Sequence, residues 1–466
     1  MKTARHTVLI LLILAAAGSL TLLGGCGTEP APADPLAINF AHLEHLTESV
    51  TVNGRDCDIV HIYANAPSYD WTGDDDEGNA CVDDVARAAR LYLREYEATG
   101  DTVYAARAKR MLQFVLAMQT DTGHFANFIW PDRTLNLDGR TSKPSLNFWA
   151  ARAMHALALG QRVLADQDPE FVREIDTALA ATIENLTVEF IHRRSAIGID
   201  AGSDIVALFT LALLERRKIA TSAAEDSLIV HLAERIHENT FAGSDAFPYR
   251  VHLSWRNVWH QWGMQQVEAL AYAGQAMNRP EWIASAREEA ENFQRMLLAN
   301  NGPIEFKIED GDTVDVGWYS QIAYGTNSLA ACQRALFEIT GDEAFAAGCG
   351  LAVGWLTGLN PAGATVYDPG TGRVFDGINS RTEINRNSGA ESTIEGLLAL
   401  QELRNIPGAR QAALATRVDA GVGEAARFVT PDDRVVTLAS VADIWRLTIA
   451  DRSETESTNQ VNDQRK

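Results

Sequence analysis

Positive charge is scarce in this chain. Its 466 residues include 40 lysines and arginines against 62 aspartates and glutamates, so the formal net charge at pH 7 is -22. Proteins bind nucleic acids and anionic membrane surfaces through clustered basic side chains that neutralise phosphates, and no such basic stripe is present. The composition therefore argues against nucleic acid and anionic lipid as partners and favours a neutral ligand.

Motifs that mark several common enzyme classes are also missing. Without a CxxC pair a zinc site is not expected. The absence of a Gly-rich phosphate loop, of HExxH and of GxSxG argues against a nucleotide-binding protein, a zinc protease and a serine hydrolase. Beyond Cys26 four cysteines remain, and it stays open whether Cys57 pairs with Cys81 or Cys332 with Cys349.

The N-terminus has the composition of a lipoprotein signal peptide. A short basic start precedes an apolar run over residues 8–23, and the small residues just before Cys26 resemble a bacterial lipobox. We predict a signal peptide over residues 1–25, lipid attachment to the Cys26 sulfur, and a Pro-rich tether over 26–40. Acyl chains alone would then hold the protein in the cell envelope, at the outer membrane or cell surface.

A helical period dominates the chain from Ala80 onward. Before it, alternating residues from Val50 to Tyr63 predict one or two short strands. Apolar residues three and four apart then predict twelve helices. These cover roughly residues 81–98, 102–119, 144–164, 169–192, 203–217, 222–240, 259–277, 280–299, 319–339, 342–358, 388–404 and 409–427.

Short and long connections alternate between these helices, which indicates six helical hairpins. Two of the short links, Thr99-Gly100-Asp101 and Thr340-Gly341-Asp342, lie in similar sequences that indicate an internal repeat. Six antiparallel pairs close most economically into a ring. We therefore predict an all-α (α/α)6 toroid of six helical hairpins, with a short N-terminal β segment, over residues 41–430. Residues 431–466 are predicted to be a C-terminal extension with a disordered tail.

The long loops of this predicted ring all lie on one side, over the N-terminal ends of the inner helices. We call this side the bowl; its long loops cover residues 121–143, 192–202, 241–258, 300–317 and 359–387. A ligand site is expected there. Aromatic rings beside amides and carboxylates suit a sugar, whose C–H faces stack on rings and whose hydroxyls need polar partners. The side chains expected to bind substrate are Trp71, Asn127, Trp130, Asn147, Asp204, His260, Trp262, Trp318, Tyr319, Asn385 and Asn387.

Two adjacent carboxylates begin the first predicted inner helix. Asp83 lies four residues before Arg87, a spacing typical of a structural ion pair. Asp84 lies on a stripe of small and apolar residues that should face the ring interior, where a carboxyl can acquire a raised pKa and act as a general acid. Catalysis or substrate binding is the preferred interpretation for Asp84, with helix capping as the alternative; for Asp83 the preference is reversed.

Two further carboxylates are candidates for pairing with Asp84. Glu391 ends the capping box Ser388-Gly389-Ala390-Glu391, yet it also lies at the rim of the bowl, on the helix that closes the ring. Asp376 lies in a long loop rich in Asp, Asn and Arg, where it belongs either to a hairpin turn or to a functional site. A structural and a catalytic role remain open for both residues.

The acidic run Asp74-Asp75-Asp76-Glu77 has two interpretations. Clustered carboxylates can bind calcium, but the full EF-hand spacing is missing, so a solvated loop is preferred over a calcium site at Asp74, Asp75 and Asp76. No other metal and no organic cofactor is predicted. The expected form is a monomer.

Four blocks of sequence resemble, in order, those of a known family. They are ACVDDVARA, HFANFIWPD, YDPGTGRVFDGIN and NRNSGAEST, and the resemblance covers about residues 60–405. The family comprises bacterial six-hairpin (α/α)6 glycosidase-like proteins found beside or fused to carbohydrate-processing enzymes. The resemblance implies the same fold and a glycan-related role. This chain departs from the family pattern at Val85 and Ser388, where the family often has Asn and Gln. The blocks correspond to Asp83, Asp84, Arg87, Asn127, Asp376, Asn385, Asn387 and Glu391.

These features together predict an envelope-anchored enzyme acting on a poly- or oligosaccharide. The leading hypothesis is a glycoside hydrolase in which Asp84 or Asp83 works with Glu391 or Asp376 as the acid/base pair.

Two alternatives remain. A polysaccharide lyase of toroid fold would use Tyr319 or His260 as its base, near a cation that neutralises a uronate. A non-catalytic glycan-binding lipoprotein would show an open, Trp-lined bowl in which no two carboxylates lie within about 10 Å of each other.

Overall fold

The computed structural model describes residues 34–192, 202–241, 243, 247–418, 425–441 and 444–453. The predicted signal peptide, the lipidation site Cys26 and the first part of the tether lie outside these ranges. Within them, no helix combines the length and the apolar character needed to cross a membrane.

Helices make up most of the ordered elements. The α-helices of the described part of the chain are α1 Ala41–Leu46, α2 Val82–Thr99, α3 Thr102–Ala117, α4 Phe148–Val163, α5 Pro169–Thr187, α6 Ser203–Arg217, α7 Ala223–Glu238, α8 Gln266–Ala276, α9 Pro280–Glu289, α10 Arg295–Asn300, α11 Ala323–Thr340, α12 Glu343–Val353, α13 Ala390–Glu402 and α14 Ala409–Ala413. A π-helical turn over Val188–His192 extends α5, and another over Ala290–Gln294 joins α9 to α10.

The inner helices form a closed ring. Around it α2 packs on α4, α4 on α6, α6 on α8, α8 on α11, α11 on α13, and α13 again on α2. Each inner helix is followed across a short link by its outer partner: α3, α5, α7, the α9–α10 pair, α12 and α14. The structure confirms the (α/α)6 toroid of six helical hairpins.

Residue composition explains which helices lie inside. Every residue of α4 from Trp149 to Gly160 is buried, because an inner helix contacts a neighbour on both sides and an outer helix behind it. The outer helix α7 buries only one face, with Leu228, Leu232 and Ile236 at helical spacing. A helix that is apolar all round belongs in the inner layer, and an amphipathic one belongs outside.

The two Thr-Gly-Asp links have the same geometry. Gly100 and Gly341 take left-handed conformations, with φ of 73° and 70°, and end α2 and α11. The following aspartates, Asp101 and Asp342, each accept a 3.0 Å hydrogen bond from the backbone N–H two residues later. The first and fifth hairpins are therefore joined by equivalent turns, as the internal repeat predicts.

Gly100→Ala and Gly341→Ala are expected to destabilise the protein equally. No neighbouring atom lies within 4 Å of a Cβ added at either position, so only the left-handed backbone opposes the side chain. Each change should lower the free energy of unfolding by about 1 kcal/mol, measured by chemical denaturation. Asparagine tolerates this conformation, so the Asn variants should lose less. Clearly unequal losses in the two Ala variants would contradict the equivalence of the turns.

Short strands hold the loops. The described strands are β1 Thr47–Val52, β2 Arg55–Val60, β3 Tyr63–Asn65, β4 Asp70–Thr72, β5 Ala80–Cys81, β6 Phe128–Ile129, β7 Val258–His260, β8 Glu305–Glu309, β9 Asp312–Gly317, β10 Tyr367–Asp368, β11 Arg373–Val374, β12 Gly377–Ser380, β13 Glu383–Asn385, β14 Thr416–Arg417, β15 Ala425–Val429, β16 Arg434–Val441 and β17 Ile444–Asp451. The antiparallel pair β1–β2 confirms the predicted N-terminal β segment.

Backbone pairing connects successive long loops around the bowl. Pairing of β5 with β6 ties the segment before α2 to the loop before α4, and pairing of β7 with β8 ties the loops before α8 and α11. A bridge between Gln321 and Ile378 continues to the loop before α13. The N–H of Ala390 donates to the Ile62 carbonyl at 3.0 Å, which brings the start of α13 back to the N-terminal segment. These bonds connect the segments at the starts of α2, α4, α8, α11 and α13.

The twelfth predicted helix, over residues 409–427, begins at the predicted residue but is much shorter than predicted. Helix α14 ends at Ala413, and strands follow at β14 and β15. The residues beyond Ala413 pair as strands instead, with Thr416 opposite Val429 and Phe428 opposite Val436, and tertiary pairing overrides helix propensity.

The C-terminal strands form a sheet on the outside of the ring. Its order is β14-β15-β16-β17, all antiparallel, and it packs on the outer helices α10 and α12. The domain boundary predicted after residue 430 falls inside this sheet, between β15 and β16.

Candidate active site

The start of α2 is fixed by hydrogen bonds from two elements. Cys81 is the N-cap residue, and its Sγ accepts the Asp84 N–H at 3.4 Å. Buried Asn127 lies opposite: its Oδ1 accepts the Asp83 N–H at 3.1 Å, and its Nδ2 donates to the Thr141 carbonyl at 3.0 Å. Asn127, predicted to bind substrate, thus uses its amide to hold the helix end that carries the two aspartates.

Asp84 is almost fully buried, with 5% of its surface exposed. Its Oδ1 accepts from Arg87 Nη2 at 2.7 Å and its Oδ2 from the Cys81 thiol at 3.2 Å. Burial raises the pKa of Asp84 to about 6; Arg87 opposes this shift, and the negative charge of Glu391 reinforces it. A carboxyl with this pKa exists in both protonation states near neutrality, as a general acid requires.

The expected ion pair between Asp83 and Arg87 is wrong. Arg87 Nε donates only to the Asp83 backbone carbonyl, at 3.1 Å, while its Nη atoms reach Asp84 and Glu395. The Asp83 carboxylate instead pairs with Arg152 of α4, and its buried Oδ1 has no hydrogen-bond partner among the described residues. The long guanidinium side chain reaches the i−3 carboxylate as readily as the i−4 one, and buried Glu395 draws it inward.

The capping box predicted at Ser388 to Glu391 is also wrong. The N-cap of α13 is Gly389, and the Ser388 N–H that Glu391 would accept donates instead to the Ala64 carbonyl at 3.1 Å. The Glu391 side chain is 48% exposed, and its Oε2 lies 3.6 Å from Arg87 Nη2. Glu391 is therefore free of the capping role and lies open at the rim of the bowl.

Asp84 and Glu391 lie close together because they share one neighbour. Arg87 Nη2 is 2.7 Å from Asp84 Oδ1 and 3.6 Å from Glu391 Oε2. The two oxygens are then no farther apart than the sum of these distances, about 6.3 Å. The mark expected of a purely glycan-binding protein, carboxylates separated by more than about 10 Å, is absent from this part of the bowl.

Asp376 serves the start of α13. Its Oδ1 accepts from the Gly389 N–H at 2.9 Å and from Ser392 Oγ at 2.6 Å, so it caps the helix from outside the helix sequence. Burial raises its pKa, and these two hydrogen bonds oppose the shift. Its own N–H donates to the Asn387 carbonyl at 2.8 Å. The carboxylate is held beside Glu391 by structural contacts.

The two loop asparagines organise the same region. Asn385 Oδ1 accepts from the Asn387 N–H at 3.2 Å, and Asn387 Oδ1 accepts from the Ala66 N–H at 3.0 Å. Asn147 is the N-cap of α4, with its Oδ1 bonded to the Phe148 N–H at 2.8 Å. All three are half-buried.

Exposed aromatic rings are spread around the bowl. Trp71 is 42% exposed and stacks on His61 with ring centroids 4.0 Å apart, and Trp318 is 49% exposed. Trp130, Trp262 and Tyr319 are half-buried. These faces are available for stacking, although no contact joins Trp71 or Trp318 to the carboxylates of Asp84 and Glu391 in the described structure.

His260 and Asp204 form a buried pair. Their side chains are buried, and His260 Nε2 lies 3.0 Å from Asp204 Oδ2. The His260 ring lies between Trp255 and Trp262, with centroid distances of 4.5 and 4.4 Å. The structure thus brings these two predicted substrate-binding residues together with each other and not with the carboxylates at Arg87.

In the described residues the acidic run forms a local turn and the cysteines form no disulfide. Asp74 Oδ1 accepts from the N–H groups of Asp76 and Glu77, at 2.8 and 3.1 Å, which forms a local turn. No group of three or more His, Cys, Asp or Glu side chains in the described ranges is placed to hold a metal ion. All four described cysteines are free and buried, so neither proposed disulfide is formed.

Sequence reasoning named Arg87 but missed the buried polar residues that surround it, one turn below the bowl. We call this set the polar layer; it consists of Arg87, Arg152, Tyr324 and Glu395. All four side chains are buried; Arg87 Nη1 lies 2.6 Å from Glu395 Oε1, and Arg152 bonds to the Tyr324 hydroxyl. A signal was present for Arg152 of α4 and Glu395 of α13, which lie among small and apolar residues of inner helices.

Comparison with known proteins identifies the fold. No family model matches the sequence, and no curated protein matches it by sequence either. Among solved structures, cellobiose 2-epimerase from Bacillus thermoamylovorans B4167 is 13% identical with a TM-score of 0.56, covering 78% of this chain and 96% of that one. A sugar epimerase from a ruminal bacterium is 11% identical with a TM-score of 0.53, covering 78% and 95%.

A third similar structure is that of a D-mannose isomerase, which is 10% identical with a TM-score of 0.54 and covers 74% of this chain and 91% of that one. At such identities the likeness establishes the fold alone. The chain has the six-hairpin, glycosidase-like (α/α)6 fold that its four sequence blocks implied.

Proposed function

We propose that this protein is a carbohydrate-active enzyme of the cell envelope, a glycoside hydrolase acting on a poly- or oligosaccharide. The observation that carries the proposal is the pair of carboxylates at Arg87, one buried with a raised pKa and one half-exposed in the bowl. Two carboxyl groups in unlike environments are what glycosidic bond cleavage uses. Structures of similar fold that act on sugars support the same substrate class.

The roles follow from the two environments. Asp84, whose pKa is raised to about 6, donates a proton to the glycosidic oxygen as the bond to the leaving sugar breaks. Glu391, the exposed carboxylate, attacks the anomeric carbon and forms a covalent glycosyl-enzyme. Water then releases the sugar as Asp84 accepts the proton back. Arg87 lies between the two groups and holds Asp84 in place.

A glycan-library screen of the purified mature protein, read for both binding and cleavage, tests the proposal. Cleavage of a neutral glycan with new reducing ends is the expected result. Products that absorb as unsaturated uronates would establish a lyase, and binding without cleavage of any glycan would establish a binding protein; either result overturns the assignment.

The hydrolysis is expected to retain the anomeric configuration. Asp84 Oδ1 and Glu391 Oε2 lie at most about 6.3 Å apart, which is below the roughly 6.5 to 9.5 Å by which inverting enzymes separate their carboxyls to admit a water. Proton NMR of the first product formed from a cleaved substrate reads the configuration before mutarotation. An inverted product would show that Glu391 is not the nucleophile and that another carboxylate partners Asp84.

A further inference from the structure

A cavity lies at the end of the ring opposite the bowl. It has a volume of about 510 Å³, and residues of all six inner helices line it, including Gln265 and Glu268 at the start of α8. Exposed charged side chains such as Glu97, Lys218 and Glu338 form its rim at the last turns of these helices and the first short link residue. We call it the lower cavity.

The polar layer separates the lower cavity from the bowl. On α2, Asp84 lies on the bowl side of Arg87, and Arg90 lies one turn farther toward the C-terminus, in the cavity wall. Asn327 marks the boundary on α11, because its Nδ2 donates to Glu395 of the layer at 2.6 Å while the residue itself lines the cavity. A ligand in the lower cavity therefore occupies a site distinct from the carboxylate pair.

Four buried polar atoms in the cavity wall have no hydrogen-bond partner among the described residues. They are Arg90 Nε, His155 Nδ1, Gln265 Oε1 and Asn327 Oδ1. His155 is only 7% exposed, and neither of its ring nitrogens forms a hydrogen bond within the described chain. Unsatisfied buried polar atoms are rare in folded proteins, so their convergence on one cavity indicates a ligand that supplies the partners.

The side-chain amides of Gln265 and Asn327 each need a hydrogen-bond donor. Gln265 Nε2 donates to Ser328 Oγ at 2.8 Å, and Asn327 Nδ2 donates to Glu395, so in both side chains the carbonyl oxygen is the unpartnered atom. A carbonyl oxygen accepts only, and a ligand hydroxyl is a suitable donor.

Arg90 requires a hydrogen-bond acceptor with negative charge. Its neighbours in the wall are paired, Arg94 with Glu402 at 2.6 Å and Arg334 with Glu338 at 2.8 Å. No ion pair or hydrogen bond joins the Arg90 guanidinium to any described residue. A guanidinium is always charged and matches a carboxylate in two-point geometry.

We propose that the lower cavity binds a sugar acid, a polyhydroxylated monocarboxylate whose carboxylate pairs with Arg90 and whose hydroxyls donate to Gln265 and Asn327. An anion without hydroxyl groups would leave the amide oxygens unsatisfied, and a neutral sugar would leave Arg90 unpaired. The cavity volume falls within the range of small-molecule sites. The site is independent of the hydrolytic chemistry assigned to the bowl.

Calorimetric titration of the mature full chain tests this with three probes: D-glucuronate, D-glucose without the charge, and acetate without the hydroxyls. Glucuronate should bind at least about tenfold more tightly than either of the others. Arg90→Gln should weaken glucuronate binding by about tenfold or more. Because Arg90 forms no ion pair or hydrogen bond with a described residue, the variant should keep its fold. The matched control Arg287→Gln removes an arginine of α9 that is paired with Glu291 outside the cavity, and it should leave binding unchanged.

A second variant, Glu268→Gln, is expected to change the affinity for glucuronate in the opposite direction. Glu268 lines the cavity without an ion pair among the described residues, facing Arg90 and Arg94 of α2, Glu338 of α11 and Glu402 of α13. Burial raises the pKa of Glu268 to about 7, so at pH 8 its carboxylate repels the bound acid. Glu268→Gln should therefore tighten glucuronate binding several-fold at pH 8.

Three results would overturn the proposal. One is no preference of the wild type for glucuronate over glucose and acetate. Another is equal affinity in wild type, Arg90→Gln and Glu268→Gln. The third is loss of glucuronate binding in Asp84→Asn, which would place the acid in the bowl. If Arg90→Gln fails to fold, the response of Glu268→Gln decides alone. Failure of the hydrolase assignment leaves these binding results unaffected.

Discussion

Asp84→Asn is expected to lower kcat on the cleaved glycan by about 10²- to 10⁴-fold, the usual contribution of a positioned general acid. Asparagine has nearly the same shape, and its Oδ1 still accepts from Arg87, so the start of α2 should keep its structure. The loss should appear mainly in kcat, because the proton is needed in the transition state and not for binding. Steady-state kinetics with the substrate found in the library screen measures it.

Asp226→Asn is the matched control. Asp226 is also a first-turn aspartate paired with an arginine, since its Oδ1 lies 2.7 Å from Arg217 Nε, but it begins the outer helix α7. It should leave kcat unchanged. Turnover by Asp84→Asn at the wild-type rate, with both variants folded, would remove Asp84 from the mechanism.

The pH dependence of the wild type provides an independent measurement of the same group. Because the acid must be protonated and its pKa is raised to about 6, the rate should fall as pH rises above about 6. The free energy of unfolding should also decrease as pH rises. The folded protein binds this proton more tightly than the unfolded chain, whose carboxyl has the usual 3.8, so the Asp84 contribution to unfolding free energy decreases from pH 4 to 6. Both effects should disappear in Asp84→Asn.

Connection lengths were the part of the sequence that best determined the fold. Helix α6 begins and ends at Ser203 and Arg217, where periodicity placed it, and the Thr-Gly-Asp links are left-handed turns at both predicted positions. The alternation of short and long links can be recognised without knowledge of side-chain contacts, because it follows from antiparallel packing of neighbouring helices. The ring and the location of its bowl could therefore be predicted.

Side-chain partners could not be predicted in the same way. Arg87 has acceptors at spacings of three and four within α2, and the choice between them is influenced by Glu395, which lies 308 residues away in sequence. The capping box at Ser388 failed for a related reason, because the Ala64 carbonyl occupies the N–H that the box requires. Local motifs describe only local competition, and at this site distant residues determine the outcome.

The polar layer is a further case in which residues distant in sequence determine the outcome, here the stability of the fold. Burial lowers the pKa of Arg87, but the carboxylates of Glu395, Glu391 and Asp84 hold it well above its usual value. Its guanidinium contacts Glu395 at 2.6 Å and Asp84 at 2.7 Å, both in side chains that are less than 10% exposed. The charge of Arg87 therefore compensates two buried carboxylates at once.

Arg87→Met is expected to lower the free energy of unfolding by about 3–5 kcal/mol, because it leaves buried carboxylates without their cation. Adding Glu395→Gln should recover part of that loss, since the second change removes one uncompensated charge and keeps an acceptor for Asn327. Chemical denaturation of the two single variants and the double variant gives the coupling energy.

The exposed pair Arg55–Glu174 provides the contrast for this experiment. Its side chains are 37% and 45% exposed at an ion-pair distance of 2.8 Å, so Arg55→Met should lower the free energy of unfolding by no more than about 1 kcal/mol. If Arg87→Met had an equally small effect, the buried carboxylates would have taken up protons or water in place of the guanidinium. Arg87→Met also removes the positive charge nearest to Asp84, so the pKa of Asp84 should rise further. The pH at which the rate declines should therefore move upward in this variant.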